Sequence, residues 1–77
     1  MKNFNEVPTT NVGYKIIESK RSKDLGGFSS PTSIVLGHRE NDNQYVTWVF
    51  NHRDGGFHWG HYFENYNNAK QDFTSRD

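Results

Sequence analysis

The sequence predicts an α+β domain: a four-stranded antiparallel meander with one C-terminal helix packed on one face. Three observations carry that reading. Four short runs rich in β-branched and aromatic residues are separated by clusters of turn formers. The pair Asp54-Gly55 between the last two runs is a strong hairpin signal, because a type I′ turn needs positive φ at both central residues. After the last run, Tyr66, Ala69 and Phe73 recur at spacings of three and four, the period of one helical face.

The elements follow in order. Residues 1–11 are polar and without periodicity, and read as a loosely ordered lead-in to a single domain spanning 1–77. "GYKIIESK", Gly13–Lys20, is the first predicted strand, and "RSKDLGGFSSP", with its adjacent glycines, serines and proline, is a loop. "TSIVLGHR", Thr32–Arg39, is the second strand and runs into the turn formers "ENDN". "QYVTWVFNH", Gln44–His52, and "FHWGHYF", Phe57–Phe63, are the third and fourth. The final segment is the helix, with Asn65 as N-cap and Arg76 near the end where the macrodipole favours a cation. A chain of 77 residues leaves no room for a second core.

A two-residue turn at Asp54-Gly55 makes residues whose numbers sum to 109 face one another, which assigns both faces of the hairpin. One face then carries His52, Phe57, Phe50, Trp59, Trp48, His61, Val46 and Phe63. Its two tryptophans and three phenylalanines are too much apolar area to leave in water, so the Tyr66, Ala69, Phe73 stripe is expected to fold onto it. A three-residue loop, Asn41–Asn43, adds Ile34 and Leu36 to that face; a two- or four-residue loop would place Ser33 and Val35 there instead, burying less. The other face carries Tyr45, Thr47, Asn51, His58 and Tyr62.

Composition narrows the function. Nine basic and nine acidic residues cancel, and a neutral chain lacks the basic field by which phosphate-backbone binders release counterions. No acidic block suggests mimicry of DNA. The absence of cysteine excludes a disulfide framework and a thiolate zinc site. No apolar run reaches signal-peptide or membrane-spanning length, so a cytoplasmic protein with no membrane partner is expected.

No metal or cofactor site is expected either. His58 and His61 are three apart in a strand and point to opposite faces, while His52 lies at the hairpin tip. Asp54, beside Arg53 and His52, is explained by the turn rather than by acid–base chemistry. There is no nucleophile elbow, phosphate-binding loop or dinucleotide fingerprint, and the chain reads as a non-enzyme. The remaining candidate is the second hairpin face: Tyr45, Thr47, Asn51, His58 and Tyr62 form a partner-binding strip, with Gly60 leaving backbone accessible. Tyr and His suit a protein interface, and exposed aromatics on a sheet also stack single-stranded bases. The basic group "SKRSK", Ser19–Lys23, reads as a solvated loop.

"YVTW" at 45–48, "GHYF" at 60–63, then Ala69, Asp72-Phe73 and Arg76 resemble small uncharacterised proteins of Gram-positive phages, plasmids and conjugative elements, over about the C-terminal half of the chain. That resemblance implies a setting in which small non-enzymatic proteins bind and block host defence machinery, anti-CRISPR proteins among them. The leading expectation is a protein-binding module directed at a host nuclease complex. Binding of single-stranded nucleic acid is the second, disfavoured by the neutral charge.

Overall fold

The computed structural model describes residues 7–22 and 31–76. Residues 1–6 of the predicted lead-in and 23–30 of the predicted loop lie outside them. The described chain is an α+β fold with an antiparallel sheet and one C-terminal helix, but the sheet has five strands, not four, in the order of the sequence. These are β1 (Thr10–Asn11), β2 (Tyr14–Arg21), β3 (Thr32–Arg39), β4 (Gln44–Asn51) and β5 (Gly56–Phe63), followed by α1 (Tyr66–Ser75).

The additional strand arises because the two-residue turn lies elsewhere than predicted. Val12 and Gly13, with φ of 43° and 88°, join β1 to β2 in the pattern a type I′ turn requires, pairing Asn11 with Tyr14. At the tip of the β4–β5 hairpin the connection is four residues, 52–55, with Asn51 paired to Gly56. The Asn51 side chain accepts the Arg53 N–H at 2.8 Å, and the His52 N–H turns away to the Pro31 carbonyl. His52 is thereby removed from the ladder, and its ring shares a buried 2.7 Å hydrogen bond with Ser33 Oγ. Gly55, at φ 71°, supplies the one left-handed residue and returns its N–H to the Asn51 carbonyl.

Two bulges then reset the faces. Across β4 and β5 the paired residues sum to 107 near the tip, as in Phe50–Phe57, and to 108 beyond Trp48, as in Val46–Tyr62; none sums to 109. The extra residue is taken up at Trp59-Gly60, where Trp59 has φ 54°. A bulge whose first residue is left-handed normally has glycine there. The second irregularity lies between Ile16 and Glu18 in β2. Strands β3 and β4 pair without interruption from Thr32–Asn51 to Arg39–Gln44 across a four-residue loop closed by left-handed Asn43, so Ile34 faces Val49 and Leu36 faces Thr47.

This overturns the predicted placement of the helix. Ile34, Leu36 and Val49 form a buried cluster with Ala69 and Phe73, flanked by Tyr45 and Phe63, so α1 covers the face opposite Trp48 and Phe50. The second face holds its own buried cluster of Tyr14, Val35, Val46, Trp48 and Phe50. The expectation that the larger aliphatics join the tryptophan assumed a single core; the small Val35 and Gly37 instead leave room for rings. A Cβ on Gly37 would stand 3.2 Å from Tyr14 Cβ and 3.5 Å from Trp48 Cζ3. Asn65 caps α1 as predicted, its side chain accepting the Asn68 N–H at 2.8 Å.

Candidate functional site

The five residues predicted to share a binding face are divided by the Trp59-Gly60 bulge. Tyr45, Thr47, Asn51 and His58 lie on the helix side of the sheet, and Tyr62 lies on the other. Tyr45 is half-buried, stacked on His38 with ring centroids 4.5 Å apart and meeting Tyr66 edge-on. Thr47 is wholly buried and Asn51 holds the hairpin loop. His58 is half-buried, 3.6 Å from Asp54. Tyr62 alone is strongly exposed, at 62 %.

The exposed aromatic companion of Tyr62 is Trp59, 55 % exposed rather than part of the core. Both stand on β5, the last strand of the sheet, one on each side of Gly60. Trp48 lies across that glycine: a Cβ there would come within 2.8 Å of Trp48 Nε1 and 3.0 Å of Tyr62 Cε1. Trp48 is thus held by Tyr14, Phe57 and Tyr62, whose ring centroids lie 5.4, 5.2 and 6.3 Å away. An isolated glycine inside a strand pattern is itself a sign of a bulge, and Gly60 was the one available signal that Trp59 leaves the core.

A polar cluster the sequence reading missed joins α1 to the sheet. Thr47 Oγ1 donates to Asp72 Oδ2 at 2.5 Å, His61 Nδ1 donates to the same oxygen at 2.9 Å, and the Arg76 guanidinium lies 3.9 Å from it. Arg76 also donates to the Thr47 carbonyl and hydroxyl at 3.2 and 2.9 Å. Burial pushes the Asp72 carboxyl upward, but the hydrogen bonds from Thr47 and His61, with the nearby Arg76 charge, bring it below its ordinary value. The Thr47 proton is directed at Asp72 rather than at His61. These contacts tie helix to sheet.

The far flank of α1 is tied to β2. Lys70 Nζ donates to Glu18 Oε1 and the Tyr66 hydroxyl to Glu18 Oε2 at 2.7 Å, which draw the Glu18 carboxyl below its usual value. Lys20 reaches the Thr74 carbonyl and lies over the Phe73 ring.

Among the described residues no group of three metal-ligating side chains lies together, and no helix is long and apolar enough to cross a membrane. Comparison with known proteins returns no matching family, no matching curated protein and no matching solved structure.

Proposed function

We propose that this chain is a small protein-binding module, an inhibitor of a host defence nuclease complex, and that β5 is its contact strand. The observation that carries the reading is the pair Trp59 and Tyr62, two large aromatic side chains more than half exposed on the terminal strand of the sheet. Tryptophan and tyrosine are the residue types most often found as interface anchors. Left-handed backbone at a bulky residue costs free energy, and such strain concentrates at functional positions. The inhibitory role rests on the resemblance to proteins of mobile elements.

The test is the double variant Trp59→Ala with Tyr62→Ala. It should still fold, because Tyr14 and Phe57 continue to pack against Trp48 once Tyr62 is removed, and each anchor should cost binding about 2 kcal/mol or more. Affinity capture from a Gram-positive host lysate should retain a partner with the wild-type chain, survive nuclease treatment and fail with the variant. Capture that disappears on nuclease treatment would instead support base stacking on the same rings. A folded variant that captures its partner as well as wild type overturns the assignment of β5.

A further inference from the structure

We infer that the partner docks as an extended segment added alongside β5, with a Lys or Arg side chain entering the groove between β5 and α1 to reach Asp72. This rests on the protein-binding reading of β5 and specifies how that strand is used.

The helix has two unlike flanks. Tyr66, Lys70 and Thr74 face β2 and are engaged by Glu18 and Lys20. The other flank, Asn68, Gln71, Asp72 and Ser75, borders with Phe63 an open groove of about 480 Å³, a volume in the range of binding clefts, about 300–1,000 Å³. Thr47, His61 and Arg76 all converge on Asp72 Oδ2. Among the described residues none is bonded to the second oxygen, Oδ1, and Asp72 itself lines the groove.

The two ends of the sheet differ in the same sense. On the β2 side the sheet carries Lys15, Glu18, Lys20 and Arg21, with β1 paired to its start, charges and cover that blunt an edge, whereas the β5 side has its bulge at Trp59-Gly60 and a regular run beyond it. From Gly56 to Phe63, β5 carries no Asp, Glu, Lys or Arg. A segment paired to it at the usual spacing of about 4.8 Å sends alternate side chains to opposite faces. One set enters the groove beside Phe63 and Asp72, and the other meets the face that exposes Tyr62.

The probe is a capped heptapeptide of alternating Thr and Val with a central Arg, compared with the same peptide carrying a central Glu, each titrated into the isotope-labelled protein. The Arg peptide should shift amide resonances of Gly60–Phe63 and of Asn68–Ser75, and bind at least tenfold tighter than the Glu peptide. Gln71→Lys, on the exposed flank of α1, should erase that preference without altering the fold; Asp72→Asn should do the same but also loosens the helix. Equal affinities, no binding of either peptide, shifts confined to other elements, or an unchanged preference in Gln71→Lys each overturn the inference. The two readings separate in the lysate assay. Capture lost in the Trp59/Tyr62 variant but unchanged in Gln71→Lys rejects strand addition and keeps β5 as the binding strand. Capture unchanged in the Trp59/Tyr62 variant rejects that broader reading itself.

Discussion

Beneath α1 the sheet offers Ile34, Leu36 and Val49 to Ala69 and Phe73, whereas the opposite face gathers Tyr14, Trp48 and Phe50 around Val35 and Val46. The two faces are closed by different means. The aliphatic face is closed by a regular element, and Ala69, fully buried, lets the helix axis approach. On the aromatic face, rings reach across strands, possible because Gly37 and Gly60 leave the backbone bare where Tyr14, Trp48 and Tyr62 cross it. A chain only 31 % apolar but 16 % aromatic can in this way bury both sides of one sheet, since each ring removes about 150–250 Å² from water.

The comparison is broken most directly by exchanging the roles of the two tryptophans. Trp48 is 4 % exposed and meets three other rings, so Trp48→Ala should cost about 3–5 kcal/mol, a large part of the stability of so small a domain. Trp59→Ala should cost clearly less than Trp48→Ala, because Trp59 is 55 % exposed where Trp48 is 4 %. Equilibrium denaturation of both variants decides the matter. Equal losses would mean that Trp59 belongs to the core after all.

The same contrast shows what was legible in the sequence. The bounds of β2 to β5, the cap at Asn65 and the Ala69/Phe73 stripe are local signals, written in short windows by β-branched runs, a side-chain acceptor and a helical period. The register was not local. It depends on Trp59 and Asn43, neither of them glycine, adopting left-handed backbone, with Gly60 as the one neighbouring hint, and on Asn51 and His52 finding partners in the loop and on β3. Each such step exchanges the faces of a strand, so Tyr62 was separated from Tyr45, Thr47, Asn51 and His58 although every one of those residues was correctly assigned to a strand. The Asp72 cluster was illegible for a related reason: it needs the helix on the Thr47 face, which only the register decides.

A smaller effect sharpens the aliphatic side. Asp72 is held below its ordinary value in the folded state, so its contribution to stability is present above the unfolded carboxylate value, about 3.9, and is lost as pH falls through the folded one. Wild-type stability should therefore fall as pH drops below about 4. Asp72→Asn should be less stable near neutrality, and its deficit should shrink as the solution is acidified. Glu18, lowered by Lys70 and Tyr66, keeps some acid sensitivity in the variant. Denaturation midpoints measured across that range test the sign: a deficit that grows toward low pH would show that Asp72 does not fasten α1 in its charged form.

The smallest expected effect concerns the turn before the aromatic face. Val12 holds φ of 43° while 75 % exposed, so a β-branched side chain is kept in left-handed backbone with little packing to offset the strain. Gly13 beside it is suited to its own φ of 88°. Asparagine tolerates the left-handed region and is the favoured first residue of a type I′ turn, and Val12→Asn should stabilise the domain by about 0.5–1 kcal/mol. Because Tyr14 directly follows this turn and enters the ring cluster against Trp48, the gain should appear as slower amide exchange at Tyr14 and Ile16 as well as a higher midpoint. A loss of stability in Val12→Asn would mean that the valine side chain contributes packing that outweighs its backbone strain, and that the aromatic face extends further toward β1 than its buried members indicate.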